Sequence, residues 1–308
     1  MLFGAQIRSS GGLLAALKRA EGMGAEVMQV FAQSPRQWRY PEANPHRALA
    51  FSEAWPASPV VKKVLCHAPY LVNLASPDPE LLARSTQSLV DNLRGARAMG
   101  ASGLVLHLGS HLGAGLEARL GSVSSSLLAA LDETWSSGSG CPILLENTAG
   151  AGGTIGRTFE ELAQVIEHAG NDPRLGVCLD TQHLWASGVA FATPRAADAV
   201  MRRLDRTVGL ERLACLHVND SKVGLGAELD RHENVGCGAI GEDGFRALLG
   251  HPRLQGLPGV LEVPGTDNHG PDAAQLATAR RLHAEGLNLR GGRRSGTRTG
   301  NRAPRSFP

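Results

Sequence analysis

A short apolar run, Leu213 to Leu216, ends on His217 and opens into a polar loop that carries Asp230-Arg231-His232. An imidazole leaving a strand, followed by an Asp-x-His pair, supplies nitrogen and oxygen donors suited to a transition metal. Six further side chains of the same kinds stand at comparable places. His67, His107, Glu146, Asp180 and Glu262 close or follow apolar runs, and His183 comes just after Asp180. A lone histidine or carboxylate at a strand end is usually structural; six consecutive strand ends of this kind are not explained that way. Gathering them in one cavity without a cation costs many kcal/mol, and bound metals remove that cost. Nine donors exceed the roughly four that one zinc ion takes. They fit two ions, and fit three best if a carboxylate bridges. The donor set lacks sulfur and suits Zn, Mn or Fe, between which spacing does not choose. Clustered divalent ions are suited to phosphoryl chemistry.

The elements that must position these groups are legible from periodicity. Strands are expected at 2–7, 26–31, 63–67, 103–108, 142–146, 175–180, 213–218 and 259–263. Helical stretches fall at 12–22, 80–99, 116–135, 158–169, 194–208 and 242–249. Thr158-Phe-Glu-Glu161 has the form of a capping box, and Thr193-Pro194 that of an N-cap followed by proline. Continuous apolar strands alternating with helices predict a parallel sheet covered on both faces. Eight such units predict an α/β fold, a single-domain (β/α)8 TIM barrel with its active site at the C-terminal strand ends. A doubly wound open sheet is the runner-up, but Gly4…Gly11-Gly12 supplies no dinucleotide-binding turn after the first strand.

The 308 residues suffice for one large domain, and a composition 42% hydrophobic and 19% charged is that of a soluble protein. No apolar run is long enough for a bilayer and no signal peptide is recognisable, so the cytoplasm is expected. The five cysteines, Cys66, Cys141, Cys178, Cys215 and Cys237, show no C-x-x-C spacing. A disulfide framework or thiolate zinc site is therefore not expected. Residues 287–308 hold six arginines and no acid, so the formal charge of +2 hides about −4 on the remainder. That tail reads as disordered, apart from a domain spanning 1–286. The Gly-rich stretch 149–156 lacks the Gly-Lys-[Ser/Thr] of a P-loop and reads as a mouth loop. Lys222 reads as a phosphate contact. His46, His111, His168, His251, His269 and His283 take no metal role, with His111 held open by its place in the mouth.

With these residues in view, the chain resembles the endonuclease IV family of AP endonucleases across nearly all of residues 1–286. The matching stretches are SPRQWR (34–39), HAPYLVNLASP (67–77), HLGSH (107–111), LLENTAG (144–150), GVCLDTQH (176–183), HVNDSK (217–222), DRHENVGCGAIG (230–241) and VLEVPG (260–265). The resemblance implies a xylose-isomerase-like barrel with three Zn2+ ions, Mn2+ or Fe2+ being possible at one site, and no organic cofactor. It implies cleavage of duplex DNA 5′ to an abasic site by a trinuclear zinc hydroxide mechanism, leaving a 3′-hydroxyl, and 3′-end-cleaning phosphodiesterase activity. It assigns His67, His107 and Glu146 to one zinc, Glu146, Asp180, His217 and Glu262 to a second, and His183, Asp230 and His232 to a third. Glu146, as the bridge, and Glu262 become the catalytic carboxylates. Arg36, Tyr70 and Leu71 become the DNA-binding residues that enter the helix at the lesion, a use of wedge side chains that suits an extruded nucleotide. A monomer associated with the nucleoid is expected.

The chain departs from the family pattern in several places. Gln6 and Arg8 stand in GAQIRSS where GAHVS is usual, and Leu108 stands in HLGSH. Gln182 replaces a common cysteine, LWASGVAF (184–191) replaces AFAAGYD, Glu228 stands where a basic residue often precedes DRH, and Cys237 replaces an acid. None removes a donor, but Arg8 and Glu228 change charge at the mouth. The arginine-rich tail could compensate through phosphate contacts. The competing readings are a metal-dependent sugar isomerase or epimerase on the same barrel and a catalytically weak DNA-binding relative. The first has no need of His67, His107 and the Asp230/His232 pair together, and intact donors argue against the second.

Overall fold

The computed structural model describes residues 1–38, 45–136 and 138–291. Arg39 of the SPRQWR stretch, and 292–308 of the arginine-rich tail, lie outside the described residues. The first seven strands are β1 (Leu2–Gln6), β2 (Val27–Phe31), β3 (Lys63–His67), β4 (Leu104–Leu106), β5 (Ile143–Glu146), β6 (Leu175–Asp180) and β7 (Leu213–His217). Two short strands, β8 (Asp220–Ser221) and β9 (His232–Glu233), pair antiparallel in the loop that follows β7. The last strand, β10 (Pro258–Leu261), returns to pair with β7 and β1 and closes an eight-stranded parallel barrel. The expected (β/α)8 architecture is the observed one.

Around the barrel run α1 (Leu13–Gly22), α2 (Pro45–Ala54), α3 (Pro79–Ala98), α4 (Glu117–Thr134), α5 (Phe159–His168), α6 (Thr181–Ala186), α7 (Pro194–Thr207), α8 (Gly241–Leu249) and α9 (Ala273–Gly291). The two N-terminal signals act as expected. Thr158 accepts from the Glu161 amide at 3.1 Å and Thr193 from the Ala196 amide at 3.2 Å. The return half of the capping box differs, because the Glu161 carboxylate takes the Gly156 and Arg157 amides instead. The boundary at residue 286 also differs: α9 continues through 287–291. Arg290 holds that end down, pairing with Asp198 at 2.6 Å and donating to the Ala247 carbonyl at 3.0 Å.

One alternation explains how this fold builds a site. Val27, Leu65, Val105, Leu144, Cys178, Cys215 and Val260 form a buried cluster of their own, apart from the larger core between strands and helices. They come one from each of seven barrel strands, so they fill the barrel's interior. On β1 the corresponding place is Gly4, paired with Val27, where a Cβ would run into the Val27 carbonyl. Side chains on a strand alternate between faces, so the next inward position lies two residues on. Counting two from each plug residue gives Gln6, Gln29, His67, His107, Glu146, Asp180, His217 and Glu262. A dry plug therefore sits directly beneath a polar rim. Each plug leucine or valine contributes about 1.5–3 kcal/mol by leaving water.

Candidate metal centre

Six of the eight rim positions are carboxylates or imidazoles, and Glu146 lies at their centre, fully buried. Its Oε2 is 3.2 Å from His67 Nε2 and 3.2 Å from His107 Nε2. Its Oε1 is 2.9 Å from His217 Nδ1 and 3.3 Å from His183 Nδ1. Three groups of donor atoms converge closely enough to hold an ion: His67, His107 and Glu146; Glu146, Asp180, His217 and Glu262; and Asp180, His183 and His232. Asp230 completes the last group, with Oδ2 3.3 Å from His183 Nε2 and Oδ1 3.1 Å from His232 Nε2. All nine residues singled out by sequence thus meet in one cluster. The structure adds that Asp180 belongs to two groups, as Glu146 does, which makes it a second shared carboxylate.

The imidazoles are aimed rather than merely adjacent. His67 Nδ1–H donates to the Ala68 carbonyl at 2.7 Å and His183 Nδ1–H to the Asn147 carbonyl at 2.9 Å. His217 donates through Nε2–H to Gln29 Oε1 at 3.0 Å, and His232 Nδ1 faces the Glu262 carbonyl at 3.4 Å. In each ring the other nitrogen is left with its lone pair directed into the cluster, the arrangement by which outer hydrogen bonds fix the tautomer of a metal-binding histidine. His232 Nε2 is buried 3.1 Å from Asp230 Oδ1 and 4.0 Å from Asp180 Oδ2. A ring nitrogen held between two carboxylates is placed where a cation would be bound by all three.

The electrostatics point the same way. Burial alone raises the Glu146 carboxyl, but His107 and His217 outweigh it and hold it well below the usual carboxylate range. Burial opposes charge on His217, yet Glu262 and Glu146 push its pKa up to about 10. His107 goes the other way, driven by burial down to about 4 against the pull of Glu146. Glu146 is thus kept charged in the interior, and without metal a proton on His217 carries compensating positive charge.

Four residues that hold the donors escaped the sequence reading. Gln29 donates to Glu262 Oε1 at 2.9 Å while accepting from His217. Asn147 bonds both the amide and the carbonyl of Asp180, at 2.7 and 3.1 Å. Asn219 donates to Asp180 Oδ2 at 2.6 Å and accepts from the Glu262 amide at 2.8 Å. Asp220 is fully buried and gathers the amides of Gly236, Gly238 and Ile240 within 3.0 Å, pinning the far end of the loop that brings Asp230 and His232 over the barrel. The signal for Gln29 was the two-residue step from Val27; for Asn147 it was its place directly after Glu146, and for Asn219 its place two residues after His217.

At the mouth Tyr70 is 60% exposed and packs edge-on against Phe31 at 5.3 Å and beside His67 at 5.8 Å. Burial and the Glu262, Glu146 and Asp230 carboxylates push its phenol upward, so it stays protonated. Leu71 is half-buried beside it, and Arg36 is exposed in the loop after β2. Glu228 is not a bare acid: it pairs with Arg157 at 2.5 Å, tying the loop after β7 to the Gly-rich loop after β5. Gln182 donates to the Leu229 carbonyl at 3.0 Å, next to Asp230.

Comparison with known proteins places this arrangement. The family model described as a xylose isomerase-like TIM barrel matches residues 16–284. A probable endonuclease 4 of Methanoculleus marisnigri is 38% identical over 282 residues, covering 92% of this chain and 99% of its own length. A probable endonuclease 4 of Streptomyces coelicolor is 41% identical, covering 90% and 94%. The crystal structure of endonuclease IV from Thermus thermophilus superposes with a TM-score of 0.76 at 34% identity, over 94% of this chain and 100% of that one.

Proposed function

The chain belongs to the endonuclease IV family of xylose isomerase-like TIM barrels, and on that premise we propose that it is a metal-dependent DNA repair endonuclease that hydrolyses the phosphodiester 5′ to an abasic site, leaving a 3′-hydroxyl. The observation that carries the reading is the nine-donor cluster with two shared carboxylates, Glu146 and Asp180, each reaching two donor groups. A sugar isomerase on the same barrel leaves His67, His107 and the Asp230–His232 pair without a task, and the relatives above are named as endonucleases.

His67, His107 and Glu146 would hold one ion, Glu146, Asp180, His217 and Glu262 a second, and Asp180, His183, Asp230 and His232 a third, with zinc the best match to the donors. Bound there, divalent ions supply positive charge for phosphate oxygens and lower the pKa of water. The chain's own residues do the rest. Glu146 stays ionised at the barrel's centre, Gln29, Asn147 and Asn219 fix the donor atoms, and the plug beneath excludes water from below. Tyr70, neutral and exposed, stands with Leu71 and Arg36 where an unstacked site in duplex DNA would meet the mouth.

Incision of a duplex oligonucleotide bearing one abasic-site analogue tests this directly. Wild type cuts 5′ to the lesion and leaves a 3′-hydroxyl, while Glu146→Gln does not cut. Wild-type protein that binds metal but cuts neither abasic nor intact duplex contradicts it.

A further inference from the structure

Two of the chain's departures from the family pattern, Gln6 and Arg8, meet in one cavity. A pocket of about 250 Å³ opens beside the donor cluster, faced by Gln6, Arg8, Arg19, Tyr70, Glu262 and His269. Arg8 and Arg19 are exposed. Among the described residues neither guanidinium pairs with a carboxylate; Arg19 Nη1 donates to the Arg8 backbone carbonyl at 2.9 Å, which fixes one cation beside the other residue. The wall's one carboxylate is turned away from them. Glu262 Oε1 accepts from Gln29 at 2.9 Å and Oε2 lies 3.1 Å from His217 Nδ1, inside the cluster.

Two guanidiniums without a carboxylate partner, facing one cavity, select an anion, and the planar forks of arginine match phosphate oxygens. The cavity shares Glu262 with the donor cluster and Tyr70 with the mouth, so an anion there would flank one held at the cluster. We propose that this cavity is a second phosphate site, in which Arg8 and Arg19 bind a backbone phosphate flanking the scissile one on the same DNA strand. The site presupposes DNA as substrate. Arg8 thereby sets the strand's register at the mouth, and the charge it brings is used for substrate rather than spent in an ion pair, unlike that of Arg157.

The test uses metal-loaded protein and an abasic-analogue duplex in which single phosphates near the lesion are replaced, one at a time, by neutral methylphosphonates. Binding is measured across salt for wild type, Arg8→Gln and Arg8→Lys. The expected result is that Arg8→Gln binds the fully charged duplex about tenfold more weakly, with a log–log salt slope shallower by about one, as for one lost phosphate contact. Arg8→Lys recovers part of the affinity. One methylphosphonate position flanking the scissile phosphate weakens wild type by a similar factor and leaves Arg8→Gln unaffected. If Arg8→Gln binds like wild type, or loses affinity equally at every neutralised position, the site is wrong while the endonuclease reading stands. If wild type itself neither binds nor cuts the duplex, both fall together.

Discussion

The plug and the rim of this barrel are built on the same strands, two residues apart, and obey opposite rules. Leu144 and Glu146 face the same axis, yet one belongs to a dry cluster and the other sits among four imidazoles. Cys178 and Asp180, and Cys215 and His217, repeat the contrast. The plug stabilises the fold by exclusion of water and tight filling. The rim gathers charge in a largely buried ring and depends on a cation to make that tolerable. A single alternation thus separates what holds the molecule together from what it does.

Exchanging insults between the two layers sharpens that contrast most. Leu144→Ala leaves a cavity and lowers stability by about 2–5 kcal/mol, seen in denaturant unfolding, while metal content per folded chain is unchanged. Glu146→Gln does the reverse, lowering incision by about a thousandfold or more with an intact fold by circular dichroism. Equal loss of metal in both variants would dissolve the distinction.

The rim's supporting amides give the next largest effect. Gln29→Leu removes the acceptor that orients His217 and the donor to Glu262. Metal affinity, read by competition with a chromophoric chelator, is expected to fall about 10–100-fold. Gln33→Leu, on the same segment but outside the rim, should leave it unchanged.

The metal-free protein separates the layers by pH. His217, raised to about 10 by Glu262 and Glu146 against the effect of burial, gains a proton in the folded state that the unfolded chain releases near its ordinary value. Its contribution to stability is fully present below about pH 6.5 and is lost as pH rises toward 10. Chelated protein should therefore lose thermal stability over that window, and metal-loaded protein should not. A parallel decline in both forms would show that the imidazolium protons are not standing in for the ions.

The smallest effect lies at the mouth. Arg157 and Glu228 are both about two-fifths exposed, so their pair is worth at most about 1 kcal/mol. Either Arg157→Glu or Glu228→Arg alone should weaken incision a few-fold by loosening the loop that carries Asp230, and the double exchange should restore it. No recovery in the double exchange would reduce Glu228 to a net-charge effect.

Much of this was legible in the sequence because donors are chemically rare and strands announce themselves by apolar runs. The nine side chains that meet at the rim stood out by type, six of them at strand ends and three in the loops that follow, and the barrel by the count of strands. What stayed hidden was hidden for physical reasons. Gln29, Asn147 and Asn219 are neutral amides, whose role depends entirely on which carbonyl or carboxylate they reach. Helix α6 is less than two turns long and is started by a rim residue, since Asp180 Oδ1 accepts the His183 amide at 2.8 Å. Its signal is swallowed by the strand before it. Helix α9 ran past the expected boundary because the charge that made its end look like tail, Arg290, is satisfied by Asp198 and by the Ala247 carbonyl. Glu228 read as an added negative charge only because Arg157 lies 71 residues away in the chain.

Metal stoichiometry tests the central claim most directly. Elemental analysis of protein purified without added metal, run beside Asp180→Asn, decides whether the rim is a three-ion site with two shared carboxylates. About three equivalents of zinc per wild-type chain, and loss of more than one equivalent in Asp180→Asn, is the result expected from the geometry. One equivalent or none in wild type that is fully folded, or a loss confined to a single equivalent in the variant, would contradict it.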